Sequence, residues 1–275
     1  MRWTPGGMSR NIEDRRGASG GGGFGMAPMG IGGAVILLVL SLIFGVDLTG
    51  GGGGSPIPQS SGGEVAGPVQ ETPEEHQQAQ FVSFVLDSAQ SAWHQRLPDY
   101  KDAGMVLYRG GTQTGCGFGQ AAAGPFYCPA DQKVYLDLSF FSEMKSRLGA
   151  SGDFAQAYVI AHELGHHIQH QAGIDAQLRN SGGNENAKSV QLELQADCLA
   201  GVWGNMASQK GQLDHGDVEE GLNAASKIGD DALQRQSTGV VRPESFTHGS
   251  SAQRMAALRR GLQSGDPNQC KIGSF

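Results

Sequence analysis

The run Ala161-His162-Glu163-Leu164-Gly165-His166-His167 constrains the fold of this chain more than any other segment. Around it, Phe154, Ala157, Ala161, Leu164 and Ile168 recur at three- and four-residue steps, the spacing of one buried helix face. Asp153 is placed to cap that helix, Gln156 to complete a capping box, and Gly173 to end it. On such a helix His162 and His166 stand one turn apart on the flank of the apolar stripe, at the edge of a core. The plain alternative is a helix that carries four histidines, with these two hydrogen-bonded in the core.

Two imidazoles one turn apart can grip one metal ion, and Glu163 beside them can reach a water bound to it. This is the His-Glu-x-x-His pattern, in which glutamate acts as general base. Zinc in a peptidase site takes a third protein ligand and leaves a fourth position to water. An extended motif would need glycine at 169 and histidine at 172. Gln169 and Ala172 stand there, which excludes that class. His170 shares the face but lies two turns from His162, about 11–12 Å along the axis, too far to share an ion at bonds near 2 Å. It reads as a rim residue.

A better third ligand lies in the stretch 189–201, where Val190, Leu194, Asp197 and Gly201 recur at helical steps. Glu193 and Asp197 sit one turn apart, so Glu193 can coordinate while Asp197 accepts a hydrogen bond from the outer nitrogen of a ligating histidine. A carboxylate pair on a helix is most often a solvated face. After a His-Glu-x-x-His helix, with Ala196 and Gly201 small enough for close packing, the site reading prevails.

These phrases together resemble a known family. Cys116-Gly117, Gly124-Pro125-Phe126-Tyr127-Cys128-Pro129-Ala130-Asp131, the strand phrase Val134 to Phe141 and the helix phrase Ala157 to His167 are similar to those of the bacterial putative neutral zinc metallopeptidases. So are Glu193 to Cys198, Ile228-Gly229-Asp230-Asp231 and Ser245-Phe246-Thr247-His248-Gly249. The likeness spans roughly 75–275. It implies a membrane-anchored, zinc-dependent peptidase fold with poorly defined substrates. Met255-Ala256-Ala257-Leu258 replaces a more aromatic stretch, and the tail from Cys270 is slightly longer than usual. Both departures bear on tail packing rather than on chemistry.

The 44 glycines are unevenly placed, with dense runs at 17–33 and 50–54. Between them Met26 to Leu48 has an uncharged centre, Ala34 to Phe44, and approaches the roughly 20 apolar residues of a membrane-spanning helix. Arg2, Arg10, Arg15 and Arg16 precede it, which predicts a cytoplasmic amino terminus. The chain thus divides into a Gly/Arg-rich cytoplasmic segment 1–25, an anchor 26–48, a Gly/Ser/Pro-rich tether 49–72 and a catalytic domain 73–275 outside the cytoplasmic membrane. A cleaved signal peptide lacks a clear small-x-small cut site, and a buried core helix would not be flanked by glycine runs. A net charge of −7 without a basic stripe or aromatic platform argues against nucleic acid.

Four cysteines fit an oxidising compartment and allow three pairings. The preferred pairing joins Cys116 with Cys128, closing a short loop, and Cys198 with Cys270, pinning the tail to the Glu193 helix. No close Cys-x-x-Cys spacing supports a thiolate zinc site.

The expected domain is α+β and mainly helical, of the zincin-like kind, with a small β-hairpin or sheet. A long helix opens at Thr72-Pro73 with threonine as cap. Strands fall at 105–108, 125–127 and 133–138, and later helices near 190–208, 216–227 and 250–263. The strand before the active helix offers an edge to an extended peptide or protein substrate. His248 is the candidate donor to the oxyanion formed in peptide hydrolysis, with Tyr158 and Tyr127 as rivals and a surface-loop histidine as the bland reading. Asp230 and Asp231 are left outside the site. The leading expectation is a zinc peptidase in which His162, His166 and Glu193 hold Zn2+, Glu163 is the base and Asp197 supports a ligand. A catalytically silent zinc-stabilised binding or scaffold protein, and a zinc amidase acting on cell-wall peptides, are the alternatives. The sequence leaves the oligomeric state open.

Overall fold

Period-two alternation sets the sheet. Met105, Leu107, Val134 and Leu136 face one way into the main helical core, while Val106, Tyr108 and Tyr135 face the other way into a small second core with Cys128. The computed structural model describes residues 1–18 and 69–270. Its four-stranded sheet has the order β1 (Ile12–Asp14), β2 (Gly104–Tyr108), β6 (Lys133–Asp137), β5 (Phe126–Cys128). The first two pairings are parallel, and β5 runs antiparallel to β6, leaving β5 as one open edge. The edge expected on the strand before the motif helix is corrected: that strand, β6, is paired on both sides, and the edge falls to β5. A separate hairpin, β3 (Gly111–Thr114) with β4 (Gly117–Gln120), was not foreseen in the sequence; its glycines and threonines carry no apolar alternation. The disulfide Cys116–Cys128 ties this hairpin to β5.

Helix α1 (Pro73–Arg96) starts as expected, with Thr72 and Glu75 forming a capping box and Pro73 in the first turn. After β6 come α2 (Ser139–Leu148), the motif helix α3 (Asp153–Gln171), α4 (Ile174–Asn180), α5 (Glu185–Gln209), α6 (Asp217–Lys227), α7 (Asp230–Ser237) and α8 (Ser251–Ser264). Gly173 takes the left-handed conformation just past the end of α3, with a φ of 69° that suits glycine. The expected cap of α3 is corrected. Gly152 occupies the cap position without a side-chain bond, and the Asp153 carboxylate instead accepts from the ammonium of Met1 at 2.6 and 2.7 Å.

Placing residues 1–25 apart from the domain is corrected for residues 1–18. Ile12, Glu13 and Asp14 pair with Met105, Val106 and Leu107, and Trp3 packs against Phe81 at 5.3 Å between ring centroids. The sequence hid this strand because it is three residues long, rich in charge and far from its partner in the chain. Among the described residues no helix is long and apolar enough to cross a membrane; the expected anchor 26–48 and most of the tether 49–72 lie outside the described residues.

Three helices carry the core by approaching closely at small residues. Gly165 on α3 meets Ala196 on α5; a Cβ added there would lie 2.9 Å from the Ala196 Cα. On the opposite face of α5, Gly201 and Gly261 let α8 pack backbone to backbone, and a Cβ on Gly201 would land on the Leu258 carbonyl. Cys198–Cys270, the second expected pair, fixes the end of the chain beside this crossing. Gly201→Ala is therefore expected to destabilise the protein by about 3 kcal/mol or more through overpacking. Gly182→Ala, in open space, should stay within about 0.5 kcal/mol. Denaturant unfolding of both variants checks this, and equal stability of the two would rule out a rigid α5–α8 crossing.

Candidate metal centre

The α3–α5 crossing brings His162, His166 and Glu193 together, with donor atoms of all three within 4.8 Å of one another. His162 Nε2 lies 3.2 Å from His166 Nε2 and 3.1 Å from Glu193 Oε2, and His166 Nε2 lies 3.4 Å from Glu193 Oε1. Ligands bonded to one tetrahedral zinc at 2.0–2.1 Å stand about 3.3–3.4 Å apart, so these separations fit a single ion.

The outer ring nitrogens explain why the inner ones face each other. His162 Nδ1 donates to Asp197 Oδ1 at 2.8 Å. His166 Nδ1 donates to Gln169 Oε1 at 2.9 Å, because the amide nitrogen of Gln169 is itself donating to the Leu192 carbonyl at 2.7 Å. Both Nε2 lone pairs are thereby aimed at the centre, the arrangement that metal-ligating histidines show. Gln169 escaped the sequence reading, which used it only to exclude a longer motif. It sits three residues after His166 on the same face, and that spacing was the available signal.

Asp197 is fully buried and accepts from more than His162. Arg254 on α8 donates its Nε to Oδ2 at 2.8 Å and its Nη2 to Oδ1 at 2.9 Å, and the Tyr158 hydroxyl donates to Oδ1 at 2.6 Å. Burial would raise the Asp197 pKa, but Arg254 and His162 outweigh it and hold it down at about 2. Arg254 was also missed. It occupies the same buried face as Ala257, Leu258 and Gly261, and a charge within such a stripe was its signature. Tyr158, proposed as an oxyanion donor, is withdrawn from that role because its hydroxyl is buried and committed to Asp197.

Glu163 is buried at 7% exposure, on the side of α3 that packs against β5. Burial raises its pKa against the pull of His162 and His166, which suits a group that takes and returns a proton. The Tyr127 side chain is engaged. His167 Nε2 donates to the Lys101 carbonyl at 2.7 Å, so its Nδ1 accepts from the Tyr127 hydroxyl at 3.0 Å. This second oxyanion candidate is therefore a strut between α3 and the sheet edge. His170 pairs with Asp175 at 3.1 Å, away from the three donors.

His248 lies in the loop before α8 and is 16% exposed at its side chain. Asp230, left out of the site by the sequence reading, builds that loop. Its Oδ2 accepts from the backbone N–H groups of Thr247, His248 and Gly249, and its Oδ1 lies 3.1 Å from His248 Nδ1. Burial raises the Glu193 pKa, while His166 and His248 pull it well below the usual carboxylate range.

Comparison with known proteins agrees with this geometry. The sequence profile described as "Putative neutral zinc metallopeptidase" matches residues 1–273. The chain belongs to that family. It is 49% identical to the uncharacterized protein YpfJ of Escherichia coli K12 over 98% of both chains. It is 41% identical to the uncharacterized protein Rv2575 of Mycobacterium tuberculosis H37Rv over 67% of both. No solved structure matches the chain at a significant level. Family membership carries zinc as the implied metal, and the donor set His162, His166 and Glu193 fits it.

Two outcomes follow for metal binding. Asp197→Asn, which keeps the shape but removes the charge behind His162, should weaken zinc affinity by about 10–100-fold, and Glu193→Gln should weaken it more. Chelator competition measures both, and a larger loss at Asp197 would reverse their roles. Zinc must also displace protons. Burial lowers the His162 pKa, but Asp197 and Glu193 overcome it and push it up to about 10; His166 is raised in the same way, by Glu193 against burial. Affinity should therefore rise with pH across the neutral range, with proton release on zinc uptake seen by calorimetry in buffers of different ionisation enthalpy.

Proposed function

We propose that this protein is a zinc-dependent peptidase that hydrolyses peptide bonds outside the cytoplasm. The observation that carries the reading is the donor triangle of His162, His166 and Glu193 with Glu163 buried beside it. A purely structural zinc site would close its fourth position with protein and would have no use for a base. Zinc bound at these three residues supplies an acidified water and a polarised carbonyl.

The residues of the chain do the rest. Glu163, buried beside the donor triangle, takes the proton of the attacking water and passes it to the leaving amine. His248, anchored by Asp230, is the donor to the developing oxyanion, since the hydroxyls of Tyr158 and Tyr127 are committed to Asp197 and His167. Strand β5 is an open edge packed against the motif helix, so an extended peptide adding to it arrives beside Glu163. The two disulfides support an oxidising compartment.

Purified full-length protein should hold close to one zinc per chain. Glu163→Gln should keep the metal and lose peptide-library cleavage by at least about 10²-fold, the usual scale of a general base. Undiminished cleavage would overturn the mechanism, and no cleavage by the zinc-loaded parent of any library peptide would favour a binding role. His248→Ala should lower kcat with zinc content unchanged, by about 10²-fold as for other oxyanion donors.

A further inference from the structure

The segment that carries the apolar run leaves the domain and returns to it at one point. On the outgoing side, Arg15 N donates to the Leu107 carbonyl, and Arg16 is buried at 5% exposure. On the returning side, Glu71 forms an ion pair with Arg16 at 2.8 Å. Arg109 spans both sides, donating from Nη1 to the Arg16 carbonyl at 3.4 Å and from Nη2 to the Gln70 carbonyl at 2.8 Å. Residues 16 and 71 are thus held together by side chains of the domain.

The outgoing arm is built into the fold along its length. Beyond the β1–β2 pairing, Ser9 N donates to Ser83 Oγ at 2.7 Å and Ser9 Oγ to Asp87 at 2.6 Å. Met105 N donates to the Asn11 carbonyl at 2.8 Å, and Trp3 packs on both Phe81 and Phe84. Separating the arm from the domain would break these bonds together and expose the edge of β2. The family match likewise takes in the arm, since it begins at residue 1.

A single membrane crossing between residues 18 and 69 would put the two sides of this junction in different compartments. Two crossings would need roughly 40 apolar residues. The uncharged run between Arg16 and Asp47 is rich in glycine at its start and supplies at most one crossing. We infer that residues 1–18 and the metal centre lie on the same side of the membrane. This revises the sequence expectation of a cytoplasmic amino terminus opposite an external domain. The positive charges behind that expectation have other work: Arg15 and Arg16 hold Glu13, Asp14 and Glu71 within the fold. The inference stands whether or not the centre cuts peptides.

Cysteine labelling in cells producing the full chain tests it. Gly7→Cys on the arm and Lys210→Cys after α5 both fall at exposed positions, and the native cysteines are paired. A membrane-impermeant maleimide applied to intact spheroplasts should give both variants the same outcome. Labelling of one in intact spheroplasts and of the other only after lysis would overturn the shared side.

Discussion

The approach of α3 to α5 at Gly165 and Ala196 is the constraint on which the rest depends. A donor triangle with sides of 3.1–3.4 Å needs ligands from two helices whose axes come unusually near. His162 and His166 are fixed relative to each other by the helical repeat alone, but Glu193 is fixed relative to them only by how closely the second helix can pack. A side chain at 165 would push against the backbone of Ala196 and carry Glu193 away with it. The glycine inside the motif is therefore a spacing device as much as a motif letter. Its cost in helix propensity, about 1 kcal/mol, is offset by the packing it permits.

Behind that crossing the protein buries a charge network, and the network joins three helices. Asp197 from α5 receives His162 and Tyr158 from α3 and Arg254 from α8. Removing a partner from such a buried pair leaves a charge without solvent, at a cost of about 3–5 kcal/mol, so the elements are locked to one arrangement. The same carboxylate that orients a ligand also records whether α8 is in place. The Gly201–Gly261 contact and the Cys198–Cys270 bond hold α8 there, which places the carboxyl-terminal helix in the service of the site.

The sheet plays a second supporting part from the other side of α3. Its edge strand β5 packs against α3 and donates the Tyr127 hydroxyl to His167, so the helix that carries the base is braced by a strand. The disulfide Cys116–Cys128 braces the short strand that does this. At the far edge, β1 completes the sheet from the amino-terminal arm. The result couples chain entry, sheet and metal centre into one unit.

Much of this was written in local patterns. The 3.6-residue repeat of α3, the capping box at Thr72, the period-two strands and the one-turn spacing of His162 with His166 and of Glu193 with Asp197 each depend only on near neighbours. A sequence displays such relations directly. What it did not display were partnerships across the chain: Arg254 with Asp197, Asp230 with His248, the Tyr127 strut and the arm strand. Each joins residues far apart in the chain, and each is decided by a packing geometry that only the assembled helices and sheet define. The ligand types were thus legible in the sequence, while the tertiary structure alone decided the shape that lets them meet, because burial and close approach are properties of the whole fold.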